Sequence, residues 1–226
     1  MMLREFDAGP GSIILDPFLG SGTTLLACKE LGVDGVGIDV APLAVFVSKV
    51  KIADYDLEEL KRAASWLLSQ PFQRPDLSGV SGFVKQFFLK PSLEDIIFFR
   101  EKIREIENPL VRNFFTLALM NAAMKVSLAY KDGAVLKVVR DKPVPPFRKF
   151  FKRMVKKMIG DLTRLSFKPC RLEVHLGDAR KMDFLEDEMF DAIITSPPYL
   201  NKIEYTKVYR IEYELFFGDV KIDPIR

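Results

Sequence analysis

The sequence predicts an α/β fold interrupted by a long helical stretch, and three features carry that expectation. Ile13 to Leu15 is a short apolar run that Asp16, Pro17 and two glycines, Gly20 and Gly22, break, after which Thr23 to Leu31 resumes with helical spacing. That is a strand, a glycine turn and a helix. Three further apolar segments, Val36 to Asp39, Leu172 to Leu176 and Phe190 to Ile194, read as short buried strands. Between the second and third of the four strands, residues 55–168 show apolar side chains at three- and four-residue spacing. A chain of 226 residues can hold one domain with an insertion or two small domains.

The first turn sets the chemistry. Gly20 and Gly22 lack Cβ atoms, so the backbone turns tightly there and a ligand can lie against bare main chain, facing the free N–H groups of the helix start. A phosphate-cradling loop would end in Gly-Lys-Ser/Thr, but Gly22 is followed by Thr23 and Thr24, so a nucleoside-triphosphate site fits poorly. A dinucleotide fingerprint would place a third glycine where Leu25 stands, and fits only in part. A tight strand-to-helix turn of any α/β protein is the plainer alternative. Asp39 ends the second strand, where an acid can accept hydrogen bonds from ribose hydroxyls or cap the helix expected from Pro42 to Lys51.

Next comes an amphipathic helix from Asp56 to Gln70, stopped by Pro71 and Pro75. After a Gly-Ser linker, Ser78 to Gly82, a helical stretch includes Ser92 to Ile106, with Ser92 and Asp95 spaced as a capping box. Pro109 to Tyr130 is apolar enough for a buried helix, Asp132-Gly133 precedes a strand-like Val135 to Val139, and Lys142 to Pro146 is extended by its prolines. From Phe147 to Leu165 runs a basic helix with interleaved aromatics. It reads as an amphipathic helix that buries Phe147, Phe150, Phe151, Met154, Val155 and Met158 while its lysines stay solvated, or as a direct contact to nucleic-acid phosphates; the two are compatible. After the fourth strand, Tyr205 to Phe217 again has helical character.

Charge is unevenly spread. Arg140 to Arg171 holds eleven basic residues against two acids, a local +9 in a chain of net +3, so the remainder carries −6. One basic face suits a polyanion such as nucleic acid. No apolar run reaches membrane-spanning length and the N-terminus lacks the apolar centre of a secretory signal, so a cytoplasmic protein without membrane contact is expected. Cys28 and Cys170 stand far apart with no CxxC, and His175 is the single histidine in a strand-like segment, so no disulfide framework or metal site is expected.

The segments DPFLGSGTT (Asp16 to Thr24) and TSPPY (Thr195 to Tyr199) together resemble S-adenosylmethionine-dependent methyltransferases of exocyclic base amines. The form of both is most similar to the N4-cytosine DNA methyltransferases. The resemblance implies that Asp16, Phe18, Gly20 and Gly22 surround the methionine part of S-adenosyl-L-methionine, with Thr23 and Thr24 at the helix start. It further gives Asp39 to the ribose hydroxyls and Asp178 to the adenine amino group, a turn acid being the plainer role for the latter. An exocyclic amine is a poor nucleophile because its lone pair is delocalised into the ring. In the catalytic loop, the Ser196 hydroxyl and the Pro197 carbonyl would accept its two N–H bonds, Pro197 and Pro198 would stiffen the acceptors, and Tyr199 would stack on a base turned out of the duplex.

The same resemblance implies a Rossmann-like sheet, of which this sequence supplies strands one to four, in the order 3-2-1-4. Residues 1–54 would be the first, cofactor-binding half, 55–168 a helical insertion for nucleic acid or a partner, and 169–226 the continuation with the catalytic loop. DNA is the expected substrate, in the context of restriction and modification, with RNA as the alternative. A half-sheet exposes apolar surface at its fourth strand, so a second chain completing the sheet, or an inactive remnant, is also expected.

Overall fold

A computed structural model of the chain describes residues 3, 7–133, 135–197 and 205–218. In chain order the elements begin with β1 (Ile13–Asp16), α1 (Thr23–Leu31), β2 (Asp34–Asp39), α2 (Pro42–Ile52), α3 (Leu57–Ser69), α4 (Gly82–Lys85), α5 (Lys90–Arg104) and α6 (Pro109–Val126). They continue with β3 (Ala129–Asp132), β4 (Val135–Val138), α7 (Phe147–Arg164), β5 (Leu172–Leu176), β6 (Ala192–Ile193), α8 (Tyr205–Val208) and α9 (Arg210–Phe216). Two compact units result: Met1–Asp54 with Arg164–Tyr199, and Tyr55–Thr163 with Leu200–Arg226.

The first unit is built on a parallel sheet in the order β5-β2-β1-β6. Successive side chains of a strand face opposite sides. Ile14 therefore packs with Leu3, Cys28 and Val33 on one face, while Leu15 packs with Val36 and Ile38 on the other. Helix α1 starts at Gly22 and stops at Gly32, both in the left-handed region, and Pro42 opens α2, where its fixed φ suits a first turn. Strand β6 is only two residues long, but main-chain bonds from Asp191 N–H to the Ile13 carbonyl and from Ile194 N–H to the Leu15 carbonyl, each 3.0 Å, extend its pairing. Ile193, on this outer strand, is 60% exposed.

One buried cation ties the chain ends of this unit together. Lys29 is 4% exposed. Its Nζ donates to the Ile52 carbonyl, pairs with Asp54 at 2.7 Å and lies 4.6 Å from the centre of the Phe167 ring. Its own carbonyl accepts the Lys168 N–H at 3.0 Å.

The second unit is helical, with a two-stranded antiparallel hairpin, β3 and β4. Its core joins Leu60 and Leu67 of α3, Ile96, Ile97 and Ile103 of α5, Phe115 and Leu119 of α6, and Phe151 and Val155 of α7. Rings run through it: Phe99 meets Phe151 at 4.8 Å and Phe147 at 6.1 Å, and Phe147 stacks on Phe151 at 5.8 Å. Helix α3 is capped by Asp56, which accepts the Glu58 and Glu59 N–H groups, and α6 by Asn108, which accepts that of Leu110.

Several local expectations change. Helix α5 starts at Lys90, with Pro91 in its first turn, so Ser92 is already inside the helix and the Ser92/Asp95 capping box does not form. Asp95 instead pairs with Arg148 at 2.7 Å. The helix expected to reach Tyr130 ends at Val126, because Ala129–Asp132 pairs with Val135–Val138. Strand β2 begins at Asp34, two residues before Val36. Ile211 and Leu215 of α9 pack into the helical core.

Candidate functional site

The loop after β1 is pinned from three sides. Asp16 is buried, with its Oδ2 accepting the Thr24 hydroxyl at 2.6 Å and its Oδ1 the Phe18 N–H at 3.2 Å. Burial pushes the Asp16 carboxyl above its usual range, and those two donors pull it back. Leu19 donates its N–H to the Ile38 carbonyl at 2.9 Å, and its side chain lies on Gly37, where an added Cβ would come within 2.6 Å of Leu19 Cδ1. Gly22 has φ of 76°, and a Cβ there would meet Ser48 Oγ at 2.6 Å. Only glycine combines that dihedral with such a close approach.

Helix α2 supplies the remaining support. Ser48 is fully buried, and its Oγ donates to the Gly20 carbonyl at 3.1 Å. Lys51 donates from Nζ to the Ser21 carbonyl at 2.7 Å, and burial lowers its pKa. Gly20 N–H in turn donates to Asp39 Oδ2 at 2.8 Å, while Asp39 Oδ1 accepts the Ala41 N–H at 2.8 Å. Asp39 thus ties the glycine loop to the start of α2, and each oxygen retains a lone pair. Sequence reasoning did not single out Ser48 or Lys51; only the fold brings them beneath a loop some thirty residues earlier.

The outer surface of this loop is open. A Cβ at Gly20 would find nothing nearer than the Phe18 carbonyl at 3.9 Å, and the Phe18 side chain is 40% exposed. Thr23 and Thr24 begin α1 without a side-chain cap, leaving first-turn N–H groups for an anionic partner. A bare glycine backbone, an exposed apolar ring and uncapped amides leave this side of the loop open to a ligand.

Asp178 lies just beyond β5, whose pairing with β2 brings Leu176 beside Asp39. Arg180 holds it: the guanidinium donates to both carboxylate oxygens at 2.6 to 3.0 Å, and the Arg180 N–H donates to Oδ1 at 2.9 Å. That clasp lowers the Asp178 carboxyl to about 2. The turn role weighed for this acid is therefore occupied by Arg180, which sequence reasoning did not pick out.

β6 runs parallel to β1, with Ile14 opposite Ala192 and Leu15 opposite Ile193. Parallel neighbours release their following loops at the same sheet edge. The Asp16 to Gly22 turn and the Thr195-Ser196-Pro197 segment accordingly leave adjacent strands at one edge of this unit, and Ser196 and Pro197 are exposed. Pro198 and Tyr199, also named from sequence, lie outside the described residues. Among the described residues there is no cluster of three metal-ligating side chains, and no helix is long and apolar enough to cross a membrane. The buried Cys28 thiol is pushed up to about 12 by desolvation, which suits a packed core thiol.

The unit is an α/β one with a parallel sheet, a glycine turn after its first strand and an acid closing its second, an arrangement consistent with a methyltransferase fold. Residues 7–48 match the DNA methylase family. The type II methyltransferase M.BsoBI of Geobacillus stearothermophilus is 28% identical over 97% of this chain and 50% of its own length. M.AvaI of a Nostoc species is 27% identical over 95% of the chain and 50% of its length. M.MjaII of Methanocaldococcus jannaschii is 40% identical over 83 residues, 37% of the chain and 15% of that protein. The first two matches span about half the length of each relative. In each comparison the chain is similar to DNA methyltransferases. Nothing in these relationships points to RNA or to a second chain.

Proposed function

We propose that this chain carries the cofactor loop and catalytic loop of an S-adenosylmethionine-dependent methyltransferase that modifies the exocyclic amine of a DNA base, cytosine N4 in particular. The observation that supports the reading is the parallel pairing of β1 with β6, strands from which the glycine turn and the Thr195–Pro197 segment depart. When bound, the cofactor supplies a methyl group made electrophilic by its sulfonium charge. The chain's own residues do the rest. The exposed main chain of Gly20 and the uncapped start of α1 hold the donor's amino-acid part, and the spare lone pairs of Asp39 accept ribose hydroxyls. Ser196 Oγ and the Pro197 carbonyl accept the two N–H bonds of the target amine, drawing its lone pair out of conjugation with the ring. Holding the methyl donor and the amine in line would supply much of the acceleration.

Transfer of a labelled methyl group to duplex DNA or to RNA, followed by nucleoside analysis, tests this. N4-methylcytosine from DNA is the expected product; methylated adenine would correct the base, and methylation of RNA alone would overturn the substrate class. Ser196→Ala should lower transfer about 100-fold while calorimetry shows S-adenosylmethionine binding retained. Unchanged transfer in that variant removes Ser196 from the mechanism, and absence of cofactor binding by the unmodified chain at millimolar ligand removes the reading as a whole.

A further inference from the structure

We propose that the outward face of α7 is a docking surface for the phosphates of duplex DNA. Helix α7 spans Phe147–Arg164 and buries Phe147, Phe151 and Val155. By its 3.6-residue period, Lys149, Lys152, Arg153, Lys156 and Lys157 share the opposite face, and all five are exposed. Of the basic residues from 148 to 157, only Arg148 finds an acidic partner among the described residues, Asp95 at 2.7 Å. It also lies 4.7 Å from the centre of the Phe72 ring, so it anchors the helix to its own unit. Arg153 rests 4.8 Å from the centre of the Phe150 ring, an arrangement that leaves its guanidinium charged. The helix's one acid, Asp161, stands four residues beyond Lys157, is half-buried and makes no ion pair with it among the described residues.

A solvated helix face usually mixes its charges, because like charges three and four residues apart repel. Five cations without counter-charges are unfavourable for the helix alone and favourable only beside an anion. From Lys149 to Lys157 the helix rises about 12 Å, a length of duplex axis over which one DNA strand presents about three to four phosphates. Lysine and arginine of this kind bind backbone without reading bases, so the face supplies affinity and leaves base choice to other groups. The proposal rests on the reading of the chain as a DNA-modifying protein, but its test needs neither cofactor nor methyl transfer.

The experiment is a salt titration of the full chain on a fluorescent 20-base-pair duplex, read by anisotropy, with Lys152→Gln/Lys156→Gln compared with the unmodified chain. A control, Lys61→Gln/Lys102→Gln, removes two lysines that each sit beside a glutamate. Loss of two phosphate contacts should flatten the slope of log K against log salt by about 2 and weaken binding at least tenfold at 0.1 M salt. The control should leave the slope unchanged, and far-UV circular dichroism should match for all three proteins. A slope unaltered by the α7 substitutions, equal effects from the control, no DNA binding even at low salt, or preferential binding of single-stranded RNA each overturns the assignment. Calorimetry with S-adenosylmethionine on the same samples reports separately on the cofactor site.

Discussion

The two units of this chain are stabilised in different ways. The helical unit has a broad apolar core with a run of phenylalanine rings, and its fully buried side chains come from α3, α5, α6, α7 and α9. The sheet unit has two small apolar clusters, Leu3 with Ile14, Cys28 and Val33 on one face, and Leu15 with Val36 and Ile38 on the other. What fixes its important loop is a set of directed bonds: Asp16 to Thr24, Asp39 to Gly20, Ser48 to Gly20 and Lys51 to Ser21. Hydrophobic burial is non-directional, whereas hydrogen bonds dictate where atoms sit. The lesson is a division between a part built to stay folded and a part built to hold a shape.

That contrast can be broken at graded cost. Phe151→Ala, in the middle of the ring stack, should lower stability by about 3–5 kcal/mol, read as a drop in the denaturant midpoint. Gly22→Ala should cost about 1–3 kcal/mol, because a Cβ must adopt a positive φ and push Ser48 away. It should also weaken S-adenosylmethionine binding at least tenfold by calorimetry, an effect Phe151→Ala should not produce under conditions where that variant remains folded. Ser48→Ala removes a single bond to the Gly20 carbonyl and should cost about 1 kcal/mol, with a severalfold loss of cofactor affinity. If Ser48→Ala alters melting but not affinity, the directed bonds serve stability alone and the division between the units disappears.

The smallest effect is electrostatic. Asp178 titrates at about 2 in the folded chain against an ordinary 3.8, so the Arg180 clasp favours the folded state above that ordinary value. The contribution disappears as pH falls from about 4 to about 2. Arg180→Gln should return the Asp178 carboxyl toward 3.8 in an NMR titration, and a carboxyl that stays near 2 would show that Arg180 is not its cause.

Much of the sheet unit is legible because its signals are local. Ile13 to Leu15, the glycines at 20 and 22, and Asp39 announce strand, turn and strand end within a few residues of one another. The hairpin β3–β4 was missed at its first strand because Ala129–Asp132 is polar and mostly exposed and follows a long helical run without a break. The Asp132-Gly133 pair, with Gly133 at φ of 56°, was the available signal. The capping box at Ser92 failed because Pro91 permits an earlier start, and two valid local rules then compete for one helix end. Ser48, Lys51 and Arg180 were not legible as site residues. Their roles come from contacts set by how α2 and the turn after β5 meet their neighbours, and no spacing along the chain encodes that.

Lys29 gives the architecture one more property. It joins the point where the chain departs from the sheet unit, at Ile52 and Asp54, to the point where it returns, at Phe167 and Lys168. With both gateposts fastened to one side chain, the span between them is a closed loop whose closure entropy grows only with the logarithm of its length, about 0.6 kcal/mol for each doubling. Whole segments can then be lengthened, shortened or exchanged between Asp54 and Phe167 at little thermodynamic penalty to the sheet.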